Sequence, residues 1–343
     1  MTTTEVIIVG AGPLGLELAV ALKRARIDYV QLEAGQIGQA ILDWPAMTRW
    51  FSSSDRITIA GVPIQSVSQE KCTREEYLAY LRGVVMQFDL DMCTYERVLG
   101  ITRKDDLFTV TSRTRVGTMC KRAARYVVLT TGGMAAPNRL GVHGEDLPHV
   151  SHWMADPHTY FRRRVLIVGG RNSAVEAALR LYHAGTKVSI SYRDAAFPDK
   201  VKYWLRPEIE YLVKTGRITA YFETVPIVIL PEHVELRPVG GGRHMSIPAD
   251  FVLLMVGYVA DMSLFRQVGV ELSGVRDVPV YDEQTMQTNV PGLFVAGTAT
   301  AGTQQSGVRV FLENCHVHVD RIVASMTGNP PPPTPEPVSL PEA

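Results

Sequence analysis

Two rhythms of apolar and polar positions run along this chain, and each occurs twice. Val6-Ile7-Ile8-Val9 is an unbroken apolar run that stops at Gly10, and from Pro13 to Leu22 the apolar residues recur at spacings of three and four. A strand buried on both faces reads as a continuous apolar run, whereas a helix with one buried stripe reads at spacings of three and four. The pattern predicts a strand, a glycine turn and a helix, with a second strand at residues 29–33. The same arrangement returns later. VIIVGAGPLGLELAVAL (residues 6–22) aligns residue for residue with VLIVGGRNSAVEAALRL (residues 165–181), and a second strand follows at Lys187–Tyr192. Gly185 is placed to end the second helix. Two such beginnings predict an α/β chain built of two doubly wound, three-layer dinucleotide-binding domains.

Three further apolar runs end in glycine. They are YVVLT (126–130) before Thr131-Gly132-Gly133, FVLLMV (251–256) before Gly257, and LFVA (293–296) before Gly297. A long helical pattern follows, from about Gln305 to Met326. If the repeat marks domains, the second is inserted in the first: residues 1–138 and 259–328 form one, residues 139–258 the other. Residues 329–343, NPPPPTPEPVSLPEA, are rich in proline and carry no periodicity, so a disordered tail is expected there.

Composition narrows the function. The chain is 46% hydrophobic and 20% charged, as globular chains are. Its 35 basic and 35 acidic residues cancel, which leaves no global basic field and argues against general nucleic-acid binding. The longest apolar stretch, residues 251–260, is half a membrane span. The N-terminal run follows Glu5 and is broken by Glu17, unlike a secretory signal. The four cysteines form no CxxC pair, so no disulfide scaffold is expected, and a reduced, cytoplasmic protein is.

Gly10-Ala11-Gly12-Pro13-Leu14-Gly15 is a GxGxxG turn with a strand before it, a helix after it and Glu33 at the tip of the next strand. Gly10 permits the tight turn, Gly12 leaves the backbone bare towards a pyrophosphate, and Gly15 lets helix and strand pack closely. The helix N-terminus offers free N–H groups to an anion, and a carboxylate at Glu33 suits a ribose diol. The alternative is a tight connection without a ligand. The position of this unit at the start of the chain favours FAD.

This start, together with Gln39, Asp43-Trp44-Pro45, Thr131-Gly132-Gly133 and TNVPGLFVAGT (288–298), resembles the thioredoxin-reductase-like flavoproteins. Trp50-Phe51-Ser52-Ser53-Ser54 and FDLDMCTYERV (88–98) are most similar to the bacillithiol disulfide reductases, FAD- and NADPH-dependent enzymes that reduce a small disulfide. The resemblance implies that Gly10, Gly12, Pro13, Leu14, Gly15, Glu33 and Ala34 hold the FAD pyrophosphate and ribose. It places Gln39 and Asp43 along the ribityl chain and ring, and Val98 at the adenine. It places Gly297 and Thr298 at the flavin, before the last helix, whose N-terminus faces the N1–C2=O edge, where it can stabilise negative charge, and it makes Thr131, Gly132 and Gln305 further cofactor-binding residues. It also implies a homodimer. Relatives often have Gly-Asp where this chain has Gly297-Thr298. Trp44, Trp50 and Phe51 fit core packing as well as ring contact.

In the second turn, Gly169-Gly170-Arg171-Asn172-Ser173-Ala174, Arg171 stands on Gly12. It either swings out to pair with a phosphate or fills the site against a dinucleotide. Tyr192 stands on Glu33 and Arg193 comes next, so no acid faces a free 2′-hydroxyl, and an arginine can pair with a 2′-phosphate. With Lys200 and Lys202 nearby, this favours NADPH over NADH. A plain solvated basic face is the alternative.

Thiol chemistry is missing. Thioredoxin reductases carry a CxxC ahead of the second turn, and residues 150–165 contain no cysteine. The bacillithiol-type relatives place one cysteine between Pro and Gly of the first turn, where this chain has Leu14. A disulfide needs an attacking thiolate. Cys315, beside His316 and His318, reads as a buried structural residue, and the histidines lack zinc-ligand spacing, so no metal is expected. Three readings stay open. In the first, electrons pass from NADPH through flavin to a small-molecule or small-protein acceptor. In the second, the flavoprotein is independent of NADPH and is reduced by a donor such as ferredoxin, or holds another ligand in its second site. In the third, the chain is a non-enzymatic flavin-binding redox sensor. No catalytic residue is assigned.

Overall fold

The computed structural model describes residues 2–304, 310–330 and 332–333. The chain forms two compact units, Met1–Ala136 with Tyr258–Ala343, and Pro137–Gly257.

In the first unit, β1 (Thr2–Val9) lies between β2 (Tyr29–Leu32) and β5 (Met119–Leu129), all parallel, and Leu293–Val295 adds a parallel strand to β5. β3 (Glu96–Lys104) and β4 (Leu107–Thr114) extend the other part of β5 as an antiparallel meander. The unbroken run in β1 now has its reason. Val6 and Ile8 enter a core with residues of α1 (Pro13–Arg24), α3 (Arg74–Phe88) and α7 (His316–Thr327). Ile7 and Val9 enter another with Ile101, Phe108 and Phe265, the last on α6 (Ser263–Val268). Every side chain of the run is therefore out of water, and each fully buried aliphatic side chain contributes about 1.5–3 kcal/mol.

The second unit repeats the plan. Its parallel sheet runs Thr219–Phe222, Lys187–Tyr192, Arg164–Val168, Phe251–Leu254, Val150–Ser151. Val165 and Ile167 face a core with α4 (Asn172–His183) and α5 (Arg206–Lys214). Leu166 and Val168 face the antiparallel sheet of Thr224–Ile229, His233–Pro238 and Met245–Pro248. Gly185 ends α4 as expected, with φ of +81° and its N–H on the Tyr182 carbonyl.

The architecture is the α/β arrangement of two dinucleotide-binding domains, the second inserted in the first. In the second unit the antiparallel sheet supplies the third layer, on the face away from α4 and α5. One expectation needs correction. The last helix runs His316–Thr327, not from about Gln305 to Met326. Its forerunner is a single 3-10 turn, Leu312–Asn314, where the Asn314 side chain accepts from the Phe311 N–H. Gln305 and most of the 329–343 tail lie outside the described residues. No helix among the described residues is long and apolar enough to cross a membrane.

Candidate functional site

In the first glycine turn, Gly10 has φ of +116°, and a Cβ there would lie 2.6 Å from the Thr130 carbonyl oxygen. A Cβ at Gly15 would strike the Gly10 carbonyl oxygen. At Gly12 a Cβ would meet nothing within 4 Å. Gly10 and Gly15 thus serve the packing of strand on helix, while Gly12 borders open space at the N-terminus of α1. That terminus has no side-chain cap. The contrast is α3, whose first turn is closed by Thr73 and Glu76 in a reciprocal capping box. The start of α1 has no side-chain acceptor for its first amides, and a bare, positively polarised helix start suits a diphosphate.

Glu33 is buried and tied to this turn. Its Oε2 accepts from the Ala11 N–H at 2.7 Å and its Oε1 from the Gly35 N–H at 2.8 Å. Each oxygen keeps a second lone pair for a sugar hydroxyl. Ala34 is exposed beside it. Gln39, the first residue of α2 (Gln39–Leu42), donates to Asp43 Oδ1 at 2.8 Å and accepts from the Gln36 N–H at 2.9 Å. Gly297 has φ of +73°, and a Cβ on it would lie 3.4 Å from Leu14. A Cβ on Gly133 would lie 3.4 Å from the Thr298 carbonyl, and one on Gly132 3.9 Å from the Thr298 hydroxyl. The first turn, the Thr131-Gly132-Gly133 exit and the Gly297-Thr298 turn therefore converge. Val98 packs with the β1–β4 core. Trp44 and Trp50 take the packing role, 4.9 Å apart and with Trp50 4.5 Å from Tyr77.

Sequence reasoning missed the role of one residue here. His318, on α7, is buried, and its Nδ1 accepts from the Gly297 N–H at 3.2 Å. Burial first, then the charges of Arg321 and His316, lower its pKa to about 4. The signal available in the sequence was only its position in the last helical pattern. Its neighbour His316 is the opposite case. Burial works against a charged ring, but the Glu17 carboxylate 2.7 Å from Nδ1 outweighs it and the pKa is raised.

In the second turn, Gly169 has φ of +136° and packs on the Met255 carbonyl. A Cβ on Gly170 would lie 2.5 Å from the Tyr192 ring, so that ring roofs the turn. Arg171 is exposed, with an extended φ of −96° that any residue adopts. Burial and Asp194 raise the pKa of the Tyr192 hydroxyl, and a hydrogen bond from Arg171 opposes them. The guanidinium therefore reaches Tyr192, at the tip of its strand. Like α1, α4 has no side-chain cap. Asn172 Oδ1 accepts from the Lys202 N–H at 2.7 Å. Ser173 is exposed and Ala174 buried. Arg193 is exposed, 3.9 Å from Asp194, and Lys200 is exposed. Lys202 departs from expectation: it is buried and paired with Glu176 at 2.9 Å, and it adds no charge to a solvated face.

With this geometry in hand, residues 7–297 match the pyridine nucleotide-disulphide oxidoreductase family. The chain belongs to that family. Its members are flavoprotein oxidoreductases, and this one is 34% identical to bacilliredoxin reductase Bdr of Bacillus subtilis over 95% of its own length and 98% of the relative's. The solved bacillithiol disulfide reductase Bdr of Bacillus cereus superposes with a TM-score of 0.90 at 33% identity, covering 95% of this chain and 99% of that one. A ferredoxin–NADP reductase of Ignicoccus hospitalis is 25% identical over 86% of this chain and 90% of the relative.

For a member of a disulphide oxidoreductase family, the thiols are poorly placed. All four cysteines are free. Burial pushes Cys72 up to about 12, with Glu76 adding to it. Burial, then Glu17 and Glu313, raises Cys315 further. Cys93 is raised by burial despite Arg122. A thiol held above its ordinary pKa is a poor nucleophile at neutral pH. No group of side chains among the described residues could hold a metal ion.

Proposed function

We propose that the chain is an FAD-dependent oxidoreductase that takes electrons from NADPH and passes them to an acceptor without a protein thiol. The observation that carries the reading is the first turn, in which Gly10 and Gly15 are closed by packing and only Gly12 opens outward, before an uncapped helix. The residues fit FAD. The turn and the start of α1 would hold the pyrophosphate, Glu33 the ribose, and the converging Thr131–Gly133 and Gly297-Thr298 turns the flavin end. A bound flavin supplies the redox chemistry, accepting a hydride and releasing electrons in pairs or singly. The part played by the chain is to bind and orient it. Arg171 and Arg193 supply positive charge beside the second turn for a phosphorylated nucleotide. Leu14 puts an alkyl group where the bacillithiol-type relatives have sulfur, so the acceptor is a small molecule or small protein that takes electrons directly. The similarity to a ferredoxin–NADP reductase supports a protein acceptor. Anaerobic addition of NADPH to the purified yellow protein should bleach its absorbance at about 450 nm, a general flavin property. A spectrum that stays unchanged would remove the hydride role.

One observation favours a second reading, in which the flavoprotein does not use NADPH. Tyr192 roofs Gly170, and Arg171 reaches its hydroxyl. If that arrangement closes the site, Arg171→Gly should gain bleaching by NADPH that the native chain lacks.

A further inference from the structure

The Gly297-Thr298 turn is fixed from two elements. It follows the short strand Leu293–Val295, enters a 3-10 turn, Gly297–Ala301, and begins with a left-handed residue beside Leu14. Two side chains fix Gly297. Thr300 Oγ1 donates to its carbonyl at 2.8 Å, an internal bond of the same turn. His318 Nδ1 accepts from its N–H at 3.2 Å, and this bond comes from a different element, α7, anchored by Val319 and Ile322 in the core. A buried N–H needs a partner, and an apolar residue at 318 would leave this one orphaned.

We propose that His318 is a positioning residue for the cofactor: through Nδ1 it holds the Gly297 amide and so presents the Gly297-Thr298 turn to the flavin. The inference rests on the flavin reading above and adds a residue to it. Because Nδ1 accepts, the ring is neutral and its proton sits on Nε2. The low pKa of this buried imidazole agrees with that state at neutral pH. The last helix thus contributes a side-chain acceptor to the turn.

The test compares His318→Leu, which removes the acceptor, with His318→Asn, whose Oδ1 can take the place of Nδ1. FAD dissociation is followed by recovery of flavin fluorescence, and the bound flavin by its visible spectrum. His318→Leu should release FAD about tenfold more readily and shift the spectrum, as loss of one buried hydrogen bond implies. His318→Asn should restore most of both. Equal behaviour of the native and Leu proteins, or an Asn variant as impaired as Leu, overturns the proposal. Ring ¹⁵N spectra of the native holoprotein need no variant to fold: Nδ1 should be unprotonated, and a proton there overturns the proposal by itself. A native protein that binds no FAD overturns the flavin reading together with this one, whereas a yellow native protein indifferent to His318→Leu overturns this one alone.

Discussion

Gly12 and Gly15 are three positions apart and have opposite functions. An added methyl at Gly15 collides with the Gly10 carbonyl, backbone that cannot step aside, whereas one at Gly12 meets no protein atom. Gly15→Ala should therefore destabilise the fold itself, by about 1–3 kcal/mol as overpacking does. Gly12→Ala should unfold like the native apoprotein yet bind FAD far more weakly, because the methyl occupies ligand space. Calorimetry with and without FAD separates the two; equal losses of apoprotein stability would refute the distinction. The packing demands at Gly10 and Gly15 and the open space at Gly12 were legible from the motif, because its spacing fixes which glycine faces strand, helix and solvent. That Glu33 braces Ala11 and Gly35 was not legible, since backbone partners leave no mark in a sequence. His316 also makes a pH prediction. Its folded pKa is raised, so its contribution to stability is full below the unfolded value of 6.5 and is lost as pH rises through the folded pKa. The stability difference between the native chain and His316→Gln should be larger at acid pH than at pH 8.5, as melting temperatures across that range will show. A difference that does not change with pH would mean the ring gains no proton affinity from Glu17.

At the scale of elements, strand–turn–helix units were readable and meanders were not. Continuous apolar runs and helical spacing identified β1, α1, Arg164–Val168 and α4 because both strands are covered on both faces. The hairpin of β3 and β4 gives no such run: its strands alternate, burying Ile101, Phe108 and Val110 while exposing Arg103 and Leu107. The last helix was overextended because Leu312 and Cys315 continue a helical spacing through a segment whose backbone makes only one 3-10 turn. The helix starts make a paired prediction. Thr73→Ala opens the capping box of α3 and should cost about 1 kcal/mol without changing affinity for FAD. Gly12→Asp gives α1 the cap it lacks, so the apoprotein should lose no stability, and the added negative charge should expel the diphosphate. Titrating both variants with FAD and melting both apoproteins checks the pair. Retained FAD in Gly12→Asp would mean that the start of α1 is not the anion site.

For the whole molecule, the repeat in the sequence foretold two domains of one plan because duplicated strand, turn and helix positions survive where their chemistry diverges. What the repeat could not give was how each unit closes. In the first unit the Ala135 N–H donates to the Val259 carbonyl at 2.9 Å, so the points where the chain leaves and returns are neighbours. In the second, the Asn138 N–H donates to the Gly257 carbonyl at 2.9 Å. A segment of about 120 residues, an ordinary domain size, with adjacent ends and its own cores on both faces of a parallel sheet, has what independent folding requires. Residues 137–257 expressed alone should therefore unfold cooperatively and remain colourless. The complementary chain, with residues 136 and 258 joined by about four glycines, each spanning up to roughly 3.5 Å, should stay folded and yellow. On the proposed function, NADPH should bind the colourless piece, and the yellow piece should no longer be bleached by NADPH. An excised segment without a cooperative transition would show that its cores depend on the rest of the chain. A joined first unit still bleached by NADPH at the native rate would show that the nucleotide acts without the second turn, whatever Arg171 and Arg193 contribute.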